Sequence, residues 1–384
     1  MSQFQSLIAA SPLGLMYGSA GGFLSPENLV GRSNTKFPPD AATVAGLLLN
    51  ANREQQFTDP QHLKQTLVVA GPFWAKRDKP TQFYVPIPRH RVIGIDDDDE
   101  WKLVKKPKNN EASTEPKNDT WYLNQYQWDR QNRSVEPAYF WQLIDSWDVP
   151  TEELRERGGV ADAPWKPCPF LHPKIKPDER HVVEQDGLFL ENAVQLPEDI
   201  CLVYLTNVEH SELEAFNGWY RLGGEGHLVE IESHLLSSQH KINRLLSQKQ
   251  KINYAFALIT PGVWGSNKLS YRYPQHSSFP NKDLKLLADK AVPYRYRIGP
   301  KREENDEPED PTYNPTTTGR LSRGRYAVPL GSVYVFREAL NMTWWDFPDE
   351  WFPKEGFPLK HLGCGLCLPI DIQGVPECTE KLTA

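Results

Sequence analysis

Long apolar runs are missing from this 384-residue chain. No stretch approaches the roughly 18 apolar residues of a membrane helix, and the opening MSQFQSLIAASP has no basic segment followed by a long apolar one. The expectation is a cytoplasmic protein with no membrane partner. Cysteine is scarce as well. Cys168, Cys201, Cys364, Cys367 and Cys378 make an odd number, which argues against a secreted disulfide scaffold and predicts reduced thiols. The glycine-dense stretch WYRLGGEGHLVE (Trp219–Glu230) matches neither G-x-G-x-x-G nor G-x-x-x-x-G-K-[ST], and Glu225 inside it would repel a pyrophosphate. No cofactor is expected.

What is present is acid in blocks and proline in clusters. The net charge is −7, yet Asp96–Glu100 (DDDDE) and Glu303–Asp310 (EENDEPED) together hold eleven acids, and the remainder is mildly basic. Such runs repel themselves and read as solvated loops. The 33 prolines gather between Pro72 and Pro116, Pro150 and Pro177, and Pro293 and Pro315. Asp96–Thr120 is almost without apolar residues and reads as an inserted loop.

Between these regions the pattern alternates. Runs rich in β-branched and aromatic residues predict strands at Leu7–Ala10, Leu67–Ala70, Cys201–Leu205, Tyr254–Ile259 and Ser332–Phe336. Asp40, after Pro38-Pro39, is a candidate N-cap for a helix carrying Ala41, Val44, Ala45, Leu48 and Leu49 on one face. Leu235, Ile242, Leu245 and Leu246 predict a second helix. Strands separated by helices and wide hairpins, without a regular βαβ series, favour an α+β chain with mostly antiparallel sheets.

Several glycine-rich or basic segments fit an extended polyanion. In the GGEG stretch, Gly223 and Gly224 could serve a plain turn, or could let a backbone come close while Arg221 and His227 supply positive partners. Arg32, Ser33, Asn34 and Lys36 precede the first helix. Arg320, Arg323 and Arg325 are interleaved with Gly319, Gly324 and Tyr326, as in segments that grip phosphates and stack on bases.

The order SPLGLMYGSAGGF, FPPDAATVAGLLLN (Phe37–Asn50), RLGGEGHLVEI, RGRYAVPLGSVYVF (Arg323–Phe336) and HLGCGLCLPI (His361–Ile370) resembles the RAMP superfamily of CRISPR proteins. Within it, the order is most similar to the third subunits of the Cmr, or type III-B, effector complex. The resemblance implies two ferredoxin-like, RRM-related domains with long loop insertions: residues 1–234, interrupted around 88–180, and residues 235–384. It implies a noncatalytic scaffold in antiviral defence that caps the 5′ tag of the crRNA, abuts the large polymerase/cyclase-like subunit and an adjacent RAMP backbone subunit, and meets target RNA indirectly. The family's motifs fall on Phe37, Pro38, Pro39, Thr43 and Gly46, on Gly223, Gly224 and Glu225, and on Gly363 and Gly365. The Arg-bearing loop usual after the first strand is here MYGSAGGF, with no basic residue, which moves the expected phosphate contact to Arg32 and Lys36.

Other chemistries compete. Some RAMP relatives cleave RNA without metal, so an endoribonuclease acting on repeat RNA is the alternative, although His90, His227 and His361 show no base–acid spacing. His361, Cys364, Cys367 and Cys378 have zinc-like spacing, but a strand through GCGLCLPI would send residues three apart to opposite faces unless Gly365 turns the chain. Trp344, Trp345 and Trp351, with Asp346 and Glu350 nearby, suggest a carbohydrate cleft, but WWDFPDEWF reads better as an interface loop.

Overall fold

The computed structural model describes residues 3–16, 32–33, 37–107, 122–173, 175–176, 181–182, 188–224, 226–266, 268–296, 322–355 and 357–375. Two antiparallel sheets with few helices form its frame. The larger has eight strands, in the order Val160–Ala161, Trp141–Leu143, Tyr84–Pro86, Val69–Lys76, Ile200–Thr206, Ser6–Pro12, His227–Leu235, Gly218–Leu222. The smaller has four: Leu284–Leu287, Val333–Phe336, Ala255–Leu258 and Cys367–Pro369.

Local sequence explains the strand positions. Ser6–Ser11 is buried throughout because it is central and covered on both faces, so its pattern is a continuous run without alternation. His227–Leu235 alternates, with Val229, Ile231 and Ser233 buried and Leu228 exposed. Helix Ala41–Gln55 starts after Asp40 and buries Ala41, Val44, Ala45, Leu48 and Ala51, the three-and-four spacing of one face.

The two sheets share one topology. In the larger, Ser6–Pro12 lies between Ile200–Thr206 and His227–Leu235, and Val69–Lys76 lies outside Ile200–Thr206. The smaller repeats this arrangement: its first strand, Ala255–Leu258, lies between its third and fourth, with its second outermost. The connections differ. Helix Ala41–Gln55 joins the first two strands of the larger sheet, whereas the last connection of the smaller one uses 3₁₀ turns at Trp344–Asp346, Asp349–Trp351 and Leu359–Leu362. Trp344, Phe347, Trp351 and Phe352 are buried there and Trp345 is half-buried, so most of the aromatic residues of WWDFPDEWF build core, where an interface loop was expected. One continuous hydrophobic core runs from Phe4 to Val375 across both sheets.

Two further expectations are corrected. Leu235 ends a strand and is exposed; the helix is only Lys241–Leu245, with Ile242 and Leu245 buried. The segment from Asp96 is not wholly a loop. Asp98–Glu100 pairs with Arg91–Ile93, and Lys102–Lys105 pairs with Tyr126–Asp129. Leu103 is buried in the main core, Asp98 pairs with Arg155 at 3.4 Å, and Glu100 accepts the Thr151 hydroxyl. These partners are distant in sequence, so composition alone could not reveal them. Residues 108–120 and 303–310 lie outside the described residues. The presumed insertion around 88–180 also supplies Trp141–Leu143 and Val160–Ala161 to the larger sheet.

Candidate nucleic-acid interface

One end of the larger sheet collects several of the expected site residues. Strand Ser6–Pro12 leaves there, strand His227–Leu235 enters, and helix Ala41–Gln55 begins. The connection between Gly218–Leu222 and His227–Leu235 is a turn in which Gly223 (φ 74°) and Gly226 (φ 68°) adopt the left-handed conformation, closed by a 3.2 Å bond from the Gly226 N–H to the Gly223 carbonyl. Glycine is required at these two positions by φ, because a Cβ at Gly223 would meet only Thr43 Cγ2, at 3.8 Å. That contact nonetheless places the turn against the first turn of the helix. Arg221 is exposed and lies beside Gly226, Gly224 is exposed, and His227 is half-buried opposite Leu222.

Pro39 and Phe37 are pinned nearby. The buried Tyr204 hydroxyl donates to the Pro39 carbonyl at 2.7 Å, and Phe37 meets Trp165 edge-on at 5.3 Å between ring centres. Arg32 and Ser33 form a short strand parallel to Leu188–Gln195, with Arg32 opposite Leu190. Strand Leu188–Gln195 also bridges from Val194 to Met16, just beyond the first strand. Gly46 is exposed on the helix, and a Cβ there would meet nothing within 4 Å. Asn34, Lys36, Glu225 and Arg320 lie outside the described residues.

Arg323 and Arg325 sit at the smaller sheet's side of the molecule. Arg323 is exposed, and its N–H donates to Glu355 Oε1 at 3.1 Å. Arg325 corrects the expectation of a solvated phosphate grip. Its side chain is 4% exposed and its Nη1 pairs with Glu355 Oε2 at 2.7 Å, which makes it a buried structural cation. Glu355 lies 30 residues downstream, so the loop sequence gives no hint of the pair. Buried Tyr294 links the two regions: burial, then Cys364, then the Asp40 carboxylate hold its hydroxyl far above the usual phenol range.

The sequence reading missed a surface on the far side of the larger sheet from the helix. Trp219 is 68% exposed, Leu228 47% and Leu13 43%. Arg77 pairs with Glu230, which also accepts from Trp219 Nε1 at 3.4 Å. The signal was readable: in GWYRL and HLVEIESHL, Trp219 and Leu228 are apolar residues in the polar phase of the alternation.

The competing chemistries are placed too. Gly363 and Gly365 both have left-handed φ, so GCGLCLPI does turn, and only Cys367–Pro369 is strand. Cys364 and Cys367 are buried, and Cys364 Sγ donates to the Tyr294 hydroxyl at 3.1 Å. Among the described residues no group of three or more His, Cys, Asp or Glu is placed to hold a metal ion. Cys378 lies outside them. A polar cleft of about 560 Å³ is lined by Gln3, Gln5, Asn207, Trp345, Asp349, Lys360 and His361, among others. Burial holds the Lys360 ammonium and the His361 imidazole below their usual pKa. No helix among the described residues is long and apolar enough to cross a membrane.

The family profile described as "CRISPR-associated protein (Cas_Cmr3)" matches residues 15–368. The chain belongs to the Cas_Cmr3 family. No curated protein matches it by sequence. Among solved structures, a chain of the Type III-B Cmr-beta complex bound to cognate target RNA is similar at 10% identity and TM-score 0.42, with 86% of each chain covered. A chain of a type III-A Csm3-Csm4 subcomplex is similar at 12% identity and TM-score 0.42, covering 95% of this chain and 99% of that one. In this Cas_Cmr3 chain the C-terminal family glycines are packing residues. A Cβ at Gly363 would lie 2.6 Å from Ala70 Cβ and 2.8 Å from the Val69 carbonyl oxygen, so glycine there lets the smaller sheet's loop rest on the larger sheet.

Proposed function

We propose that this Cas_Cmr3 chain is a noncatalytic, crRNA-binding scaffold subunit of a type III CRISPR effector, capping the 5′ repeat-derived tag and contacting the large subunit and an adjacent RAMP backbone subunit. Target RNA is met through that assembly. The observation that carries the reading, beside family membership, is the glycine turn Gly223–Gly226 lying against the first turn of helix Ala41–Gln55 with Arg221 exposed beside it. A helix N-terminus favours anions, and a turn without side chains admits a phosphodiester backbone. The repeated strand order supports two ferredoxin-like domains, 1–234 and 235–384. The sheets divide between Leu235 and Ala255, in keeping with that boundary.

The cleft holding His361 and Lys360 favours a second reading, metal-independent cleavage of repeat RNA, because an imidazole and an amine that line one polar cleft are residue types that serve as general base and acid in such cleavage. One experiment separates the two. Purified protein incubated with repeat RNA in EDTA is expected to shift the RNA and leave it intact, with binding weakened by Arg221→Ala. Cleavage to a 2′,3′-cyclic phosphate end, lost in His361→Ala, would establish the second reading.

A further inference from the structure

Strand Gly218–Leu222 ends the eight-stranded sheet, and among the described residues nothing pairs with its outer edge. Exposed edges invite pairing, and proteins usually blunt them with charge, proline or a covering loop. Here the edge carries one charged residue, Arg221, and an exposed tryptophan. The register explains how the neighbouring apolar groups add up. Trp219 is opposite Glu230 and Arg221 opposite Leu228, while the Leu13 N–H donates to the Leu228 carbonyl at 3.0 Å. Leu13, Leu228 and Arg221 therefore form one row across three strands, with Trp219 in the next. Exposed tryptophan and leucines grouped beside arginine are the composition of an interaction site.

The charges decide what kind of partner fits. Arg77 is neutralised by Glu230, and Glu232 offsets Arg221, so the ground around Trp219 carries no surplus positive charge to hold a phosphodiester, whereas the unpaired edge offers N–H and C=O groups that a polypeptide strand complements. Arg221 is exposed and makes no ion pair with a described residue, unlike Arg77 on the same face. We infer that the free edge of Gly218–Leu222 takes an extended strand from a neighbouring protein subunit, with an apolar side chain over Trp219 and Leu228 and an acidic one beside Arg221. Main-chain bonds along the edge supply affinity, and the Trp219 and Arg221 contacts set register and choice of partner. The inference rests on the assembly part of the proposed function and shares Arg221 with its RNA contacts, so Trp219, which the RNA reading does not use, is the position that distinguishes the two.

The test uses the effector assembled from its co-expressed subunits and crRNA, with p-benzoylphenylalanine in place of Trp219. Ultraviolet light is expected to join the chain to another protein subunit, with the adduct mapping to an extended segment containing apolar and acidic residues. Amide exchange over 218–222 is expected to slow by more than tenfold on assembly. Trp219→Asp, at an exposed position, is expected to fold as the wild type does and to lower the amount of that subunit retained by more than tenfold. An adduct to RNA, an adduct to a second copy of this chain, or exchange as fast in the assembly as in the free chain would each overturn the inference and leave the proposed function standing. A wild-type chain that joins no other subunit would overturn both.

Discussion

Gly363 lies directly against the backbone of Ala70, where the turn before strand Cys367–Pro369 touches strand Val69–Lys76. Its φ of 67° already disfavours any side chain, and a Cβ would overlap Ala70 as well. Gly223 makes a natural control, with a φ of 74° and only an ordinary contact to Thr43. Gly223→Ala should cost about 1 kcal/mol from φ alone, and Gly363→Ala clearly more, because the two sheets must part to admit the methyl group. Paired denaturation curves check the ordering.

Arg325 separates stability from RNA binding. Removing one partner of the buried Arg325–Glu355 pair leaves a buried charge, so Arg325→Ala should destabilise by about 3 kcal/mol or more. Per folded molecule, its RNA-binding salt slope should stay at the wild-type value. Arg323→Ala, at an exposed position, should lower that slope by about one unit while hardly affecting stability.

The segment after the first acid run should prove structural where it is strand. Leu103→Ala removes a side chain that is 3% exposed in the main core and should cost about 2–4 kcal/mol by chemical denaturation. Deleting Asp96–Thr120 as a block should therefore destabilise the protein, because the deletion takes both strands with it.

Acid should weaken the fold through His90. Burial first, and Arg91 second, lower its pKa from 6.5 to about 3. An unfolded chain takes up a proton below about pH 6.5 that the folded chain refuses until about pH 3, so this contribution is present above pH 6.5 and lost as the pH falls through that window. The slope between the two values should approach about 1.4 kcal/mol per pH unit and should flatten in His90→Gln, as read from denaturation at a series of pH values.

Much of the frame was legible because it depends on local pattern. The five strands expected from β-branched and aromatic runs lie within or overlap Ser6–Pro12, Val69–Lys76, Ile200–Thr206, Ala255–Leu258 and Val333–Phe336. Asp40 does open the first helix, since periodicity and the preceding prolines act over a few residues. The glycine turn at Gly223 and the family itself were legible for the same reason: short motifs in fixed order survive in the sequence.

Other features depend on partners far along the chain. Whether an arginine grips solvent or fills a buried pair hangs on Glu355 for Arg325, and whether an aspartate run is solvated hangs on Arg155 and Thr151 for Asp98 and Glu100. The sequence by itself determined the alternating apolar pattern, the turn glycines and the family. Only the tertiary structure decided that Gly363 touches Ala70, that the tryptophans at 344 and 351 are core, and that Trp219 stands at an open edge. The reason is physical: burial and electrostatics act through space between residues whose separation along the chain carries no record of their contact.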